Sequence, residues 1–267
     1  MGSYDVSSLY PSIPIDFTVC LLMAWLIESK VVQPLAIAYV ELAAVCMKQN
    51  IFQFRDIFYA QTDGARIGNA LPYFMADLFM CFFETKLERH PLFPRFYRRY
   101  IDDIFAIQNR RRFDVVKKLF EEEMDKIKKG AIRFTIERQV DSKIPFLNVM
   151  CEIVDGKVEV DVYRKPTHTM RRITCDSFHD MKHKMAAYHS MANYMFSLPL
   201  TDDKIEKETN KIVEIGRVNG FKEEAIAKII DKHREKKRLT EISTYFWNPQ
   251  KPQSESALDI TRKSPSL

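Results

Sequence analysis

Phe96-Tyr97-Arg98-Arg99-Tyr100-Ile101-Asp102-Asp103-Ile104-Phe105-Ala106-Ile107 is the stretch on which the reading of this chain turns. Two apolar, aromatic-rich runs flank a pair of adjacent carboxylates. The runs predict strands, and the pair falls where a tight turn would join them. Two ionised carboxylates side by side repel, so a fold that exposes them at a hairpin tip needs a compensating charge. A divalent cation is the usual one, and Mg²⁺ is commonly held by one or two carboxylates plus substrate phosphates. Taken alone, the pair has a plainer reading as a solvated turn, because Asp is a common turn residue. A second carboxylate on another strand would change that, and Asp5, in the strand-like run Tyr4-Asp5-Val6-Ser7-Ser8-Leu9-Tyr10, is the candidate.

Composition sets the bounds. The chain has 267 residues, 46% of them hydrophobic and 12% aromatic, which supports a real core and argues against disorder. A formal charge of +5 permits a polyanionic partner without requiring one. The five cysteines (Cys20, Cys46, Cys81, Cys151 and Cys175) are widely spaced with no C-x-x-C, and read as free thiols in a reducing compartment. The longest apolar run, Phe17 to Ile27, lies between Asp16 and Glu28 and is too short to span a bilayer. The first residues lack a basic region followed by an apolar one, so no secretory signal is expected. The expectation is an intracellular protein with no membrane segment.

In chain order, a strand over Tyr4–Leu9 is followed by a helix from Phe17 to Ser29 with Asp16 as its cap, and by another from Pro34 to Gln49. Ile51–Phe54 and Ile57–Gln61 predict a hairpin. The polar loop Gln61 to Asn69 carries two of only seven glycines and leads into a long apolar helix, Leu71–Glu88. Such a loop permits close backbone approach to a phosphate or base, or is an ordinary left-handed turn. An amphipathic helix follows over Asp114–Lys128, then a strand over Ile132–Arg138. Ile144–Val154 and Lys157–Tyr163 pair as a hairpin around Asp155-Gly156, a strong type I′ signal. Three helices, Asp180–Leu198, Asp202–Asn219 and Lys222–Lys237, complete the pattern. Between Arg164 and Arg238 there are 17 Lys and Arg against 11 Asp and Glu, and five of the six histidines. The expected class is α+β, an antiparallel sheet with helices on one face, followed by a basic helical subdomain.

Taken in order, Tyr4-Asp5-Val6-Ser7-Ser8-Leu9-Tyr10, Gln61-Thr62-Asp63-Gly64 with Ile67-Gly68, Tyr100-Ile101-Asp102-Asp103 and Pro145-Phe146-Leu147-Asn148 resemble successive motifs of a reverse transcriptase palm. Val162-Tyr163-Arg164-Lys165-Pro166-Thr167, followed by Ser177-Phe178-His179 and Lys184, resembles the Penelope-like retroelement branch. The Asp-Asp hairpin alone is weakly specific; the ordered set is strongly so. The resemblance implies a palm with a primer-grip hairpin over residues 1–166, a thumb-like region over 167–247 and a disordered tail over 248–267. It implies an RNA-directed DNA polymerase that uses an RNA template, a DNA primer and dNTPs, with the nucleus as its compartment.

By the same resemblance, Asp5 and Asp102 would hold two Mg²⁺ ions, with Mn²⁺ as an alternative, for in-line nucleotidyl transfer to a primer 3′-hydroxyl. Asp103 would support the site and ligate weakly. Tyr10 would exclude a 2′-hydroxyl; its plainer reading is a packing aromatic. Gln61, Asp63, Gly64 and Gly68 would line the template and incoming-nucleotide side, and Phe146, Leu147 and Asn148 would form the primer grip. Departures from the family pattern fall at Asn69-Ala70-Leu71-Pro72-Tyr73 and at Asn148, where the family carries an acid. The family's fingers, whose Lys and Arg hold the triphosphate, and its GIY-YIG endonuclease are not expected in this chain. That leaves a second reading, an inactive nucleic-acid-binding remnant, and a third, an α+β interaction protein without nucleic acid. Cys175, His179 and His183 recur every four residues as zinc ligands would, but no fourth ligand is spaced to match, and a satisfied thiol with surface histidines is the better reading.

Overall fold

The computed structural model describes residues 1–66 and 70–247, with side chains as far as residue 240. The elements run β1 (Gly2–Ser7), α1 (Leu9–Ser12), α2 (Ile15–Glu28), α3 (Gln33–Lys48), β2 (Ile51–Phe54), β3 (Ile57–Ala60), α4 (Ala70–Leu87), β4 (Phe96–Tyr100), β5 (Asp103–Ile107), a 3₁₀ turn (Arg110–Arg112), α5 (Phe113–Asp125), β6 (Arg133–Arg138), β7 (Lys143–Phe146), β8 (Val149–Val154), β9 (Lys157–Val162), α6 (Met181–Ser197), α7 (Asp202–Val218) and α8 (Glu223–Trp247). The class is α+β, as expected. The chain divides into two units at Phe146–Leu147, ahead of the composition change after Pro166.

The first unit is built on a four-stranded antiparallel sheet, ordered β4-β5-β1-β6. Alternation along the strands explains which face is buried. Tyr4, Val6, Ile104, Ala106 and Phe134 point into a core closed by Phe79 and Phe83 of α4 and by Phe113, Val116 and Phe120 of α5. Asp5 and Asp103 fall between those positions and take the other face. α5 is amphipathic, so it covers the sheet with Phe113, Val116, Phe120 and Met124. A second cluster joins Leu22 and Leu26 of α2 to Ala36, Ala43 and Met47 of α3 and Met75 of α4. β2 and β3 form a separate two-stranded ribbon with every residue exposed.

Three local details differ from the sequence expectation. β1 ends at Ser7 because Ser8 is left-handed, with φ of +52°. Asp16 lies in the first turn of α2 rather than at its cap, and pairs with Lys48 at 2.7 Å. The run read as one strand from Ile144 to Val154 breaks at Leu147, where φ is +55°.

In the second unit, β8 and β9 form a hairpin in the register Val154↔Lys157. Asp155 and Gly156 have φ of +49° and +76°, the type I′ combination that the dipeptide predicts. Val160 and Val162 pack on a core of Tyr188, Ala192 and Met195 from α6, Ile212 and Ile215 from α7, and Ile226 and Ile230 from α8. α8 runs ten residues beyond the expected Lys237, to Trp247. Cys175 and His179 precede α6, which begins at Met181, so with His183 they do not share one helix. The tail from residue 248 onward lies outside the described residues.

Candidate active site

β1 and β5 are neighbours, and Asp5 lies directly opposite Asp103 in their register. Opposed residues of an antiparallel pair project to the same face, so the fold sets these two carboxylates side by side. Asp102 precedes β5 in the turn, and its carbonyl accepts a hydrogen bond from the Val6 amide at 3.0 Å. Burial raises the Asp5 pKa above the ordinary carboxylate value, and the negative charge of Asp102 raises it further. Thr135 on β6 opposes these effects weakly, donating its hydroxyl to Asp5 Oδ2 at 3.5 Å. Carboxylates that resist sharing negative charge form a place where a cation is favoured.

The turn itself is unusual. Tyr100 pairs with Asp103 across a two-residue loop. Ile101 has φ of +59° while Asp102 is not among the positive-φ residues, the combination of a type II′ turn, which glycine usually supplies. A β-branched residue in this region is strained by about 1–3 kcal/mol and persists only where surroundings enforce it. Here the enforcer is Arg99, which sequence reasoning missed. Its side chain is only 7% exposed. It donates from Nε to Glu84 Oε1 at 2.5 Å, from Nη2 to Glu84 Oε2 at 3.2 Å, from Nη1 to Asp77 Oδ1 at 2.9 Å and from Nη1 to the Ile101 carbonyl at 3.2 Å. Tyr97 adds a hydroxyl donation to Glu84 Oε1 at 2.9 Å. Burial works against the Arg99 charge, but Glu84 and Asp77 more than offset it and hold the guanidinium above its ordinary pKa. The strained turn is thereby tied to α4. The available signal was Asp77 and Glu84, seven residues apart on one helix face, with two adjacent arginines, Arg98 and Arg99, in an aromatic strand.

Tyr10 follows on α1, half-buried against the core of the sheet. Burial raises its pKa, and Asp102, Tyr73 and Asp77 add to the shift, which places the phenol within electrostatic reach of Asp102. Asp5, Asp102, Asp103 and Tyr10 are thus brought to one region.

The glycine loop is fastened beside them. Ala65 N donates to the Tyr10 carbonyl at 2.7 Å. Gly64 has φ of +74°, and a Cβ there would lie 1.9 Å from the Pro11 carbonyl oxygen, so the close approach it allows is to the chain's own backbone. Gln61 donates to the Asp63 carbonyl at 2.8 Å, and Asp63 Oδ1 accepts from Gly64 N at 2.9 Å. A hydrogen bond from the Lys128 ammonium holds Asp63 below its ordinary pKa. Gly68 lies outside the described residues. Phe146 ends β7 with its ring 5.3 Å from that of Phe105, two residues past Asp103. In the second unit, Leu147 carries the positive φ noted above and the Asn148 carbonyl accepts from Tyr163 N at 2.9 Å.

The donor set fits a hard divalent cation. Among the described residues no group of three or more His, Cys, Asp or Glu side chains is placed to hold a metal. A cation here would therefore rest on two carboxylates and complete its shell with water or phosphate oxygens, which is how Mg²⁺ is commonly bound. Among the described residues, no helix is long and apolar enough to cross a membrane.

No protein-family model matches the chain, and no curated protein matches it. Among solved structures it is similar to telomerase from Candida albicans in complex with a TWJ fragment of telomeric RNA, with a TM-score of 0.55 at 10% identity over 85% of this chain. The chain spans 40% of that telomerase. Two structures of Candida tropicalis telomerase are also similar. The apo form truncated from its C-terminal domain has a TM-score of 0.44 at 15% identity, over 60% of this chain and 35% of its own. The complex with a TWJ fragment has a TM-score of 0.42 at 14% identity, over 89% of this chain and 42% of its own. The Candida albicans likeness shows a telomerase-like fold.

Proposed function

We propose that this chain is the core of an RNA-directed DNA polymerase of the Penelope-like retroelement branch. In this reading the first unit is the palm and the helices after Met181 are the thumb. The observation that carries it is the register that opposes Asp5 to Asp103 with Asp102 in the adjoining turn. The likeness to telomerase, itself a reverse transcriptase, supports the same reading.

Asp5 and Asp102 would hold Mg²⁺, which when bound supplies positive charge to a phosphoryl-transfer transition state. The chain's own residues set the conditions. Asp5, with its raised pKa, would be stabilised in its ionised form by a neighbouring positive charge. Thr135 orients one of its oxygens, and Arg99 fixes the turn that carries Asp102. Tyr10, anchored through its carbonyl to Ala65, would pack against the sugar of an incoming nucleotide. Gln61, Asp63, Gly64 and Gly68 belong in this reading to the loop that positions template and nucleotide. Phe146, Leu147 and Asn148 would guide the primer, and the basic helical faces would hold the phosphate backbone.

The test is primer extension on an RNA template by the full chain with Mg²⁺ and dNTPs, beside Asp102→Asn. Extension by the wild type that falls by about 10³-fold or more in the variant is expected, the scale on which losing a key electrostatic group slows chemistry. Salt-sensitive primer–template binding without extension would overturn the polymerase and leave a nucleic-acid-binding module.

A further inference from the structure

The run Val162 to Thr167, singled out in sequence, continues to Arg172 and with Asn148 lines a cavity of about 500 Å³ within the second unit. That volume suits a small ligand. Its wall includes Tyr163, Arg164, Lys165, His168, Arg172 and Tyr194. The charges there do not cancel. Arg164 forms a two-pronged pair with Glu208, whose side chain is 7% exposed, so those two neutralise each other. Lys165 and Arg172 have no carboxylate partner among the described residues. Arg172 donates only to carbonyls, of Thr169 at 3.2 Å and Arg171 at 2.6 Å, and to His168 Nε2 at 3.0 Å. Arginine has no acceptor, so His168 accepts there and is neutral at that nitrogen. Burial, with Arg172 and Arg164, lowers its pKa below that of a free imidazole.

The segment is held in place. The Arg172 amide donates to Asn219 Oδ1 at 2.7 Å, Asn219 Nδ2 donates to the Met170 carbonyl at 2.7 Å, and the Cys175 amide donates to the Asn219 carbonyl at 2.9 Å. The buried Lys184 donates to the Cys175 carbonyl at 2.8 Å. Asn219 and Lys184 are therefore spent on fixing this loop, which explains their burial.

We propose that the cavity binds one nucleotide unit, its phosphate on Lys165 and Arg172 and its base against Tyr163 and Tyr194. Two cations without a carboxylate partner match the charge of a phosphate, with Lys165 free to donate and Arg172 adding its charge beside it. Two aromatic rings suit a base of any identity, since every base has a π-face. The inference stands on the second unit alone and does not need the carboxylate site.

The phosphate could come from a free nucleotide or from a strand, and calorimetric titration of the full chain with AMP and with a 5′-phosphorylated single-stranded octanucleotide separates the two. Binding of either is expected, weakened about tenfold or more by Lys165→Gln, roughly the loss of one charge-assisted contact. The thermal midpoint should not change in that variant, because Lys165 is exposed. Both titrations are run without a divalent cation, so that the carboxylate site does not contribute to either reading. Absence of binding by both probes, or affinity unchanged in Lys165→Gln, would overturn the proposal.

Discussion

Two hairpin turns of this chain solve the same geometric problem in opposite ways. At Asp155-Gly156 the residues themselves prefer the backbone they adopt, with φ of +49° and +76°, and nothing lies within 4 Å of a Cβ built on the glycine. At Ile101-Asp102 the residues resist: a β-branched side chain is held at φ of +59°, and the buried Arg99, bound to α4, helps keep it there along with the Val6 amide on the Asp102 carbonyl. A turn encoded locally can sit anywhere. A turn imposed by the fold stays where the fold needs two carboxylates, and its strain marks the position.

Substitutions sharpen this contrast. The largest effect is expected at Gly64, where the glycine is required both by its φ of +74° and by Pro11 beneath it. Gly64→Ala should cost about 4 kcal/mol in urea unfolding, combining left-handed strain with a clash against backbone. Gly156→Ala, with strain and no clash, should cost about 1 kcal/mol, and equal losses at the two glycines would break the comparison. Arg99→Met comes between them. It leaves Glu84, whose side chain is 21% exposed, without its cation and with the Tyr97 hydroxyl, and frees the Ile101 carbonyl. A loss of about 3 kcal/mol is expected, the low end for a broken buried pair because Asp77 is half exposed. It should also abolish primer extension, whereas a fold-stable, active Arg99→Met would show that the turn holds itself.

The smallest effect concerns Asp5. Its folded-state pKa is raised by burial and by Asp102, so the folded protein disfavours the ionised form. Stability therefore falls as pH rises from the unfolded carboxyl pKa through the folded one, and the penalty is fully present above it. Asp5→Asn should remove that penalty, a gain of about a few tenths of a kcal/mol at neutral pH, small because the side chain is exposed. The same variant should lose extension. Thermal melts at pH 4 and pH 7 would reveal the gain at the higher pH alone.

Much of this was legible in sequence because it is local or periodic. The α+β class, the α5 face and the Asp155-Gly156 turn follow from patterning and turn chemistry. The Asp5 strand was legible as a strand, but its pairing with β5 and β6 rests on contacts a hundred residues apart. Arg99 was hidden because two adjacent arginines in a strand do not say which one is buried until Asp77 and Glu84 are seen across from it. The Tyr10–Ala65 tie was hidden because it joins main chain to main chain and leaves no mark on residue type, and at Gly64 the glycine announced a close approach without saying that its partner is Pro11. The run through Leu147 was read as continuous because leucine gives no warning of a positive φ.

The ribbon of β2 and β3 presents an exposed aromatic surface through which copies of the chain can attract one another. Phe52, Phe54 and Phe58 are 53%, 59% and 70% exposed, and Phe52 stacks on Tyr59 with centroids 5.4 Å apart. Against that attraction stands the mutual repulsion of molecules carrying a formal +5. Added salt shortens the reach of the repulsion to roughly 8–10 Å and leaves the aromatic attraction intact. Osmotic pressure should thus drop below its ideal value as ionic strength rises, and the molecule is best kept in dilute buffer.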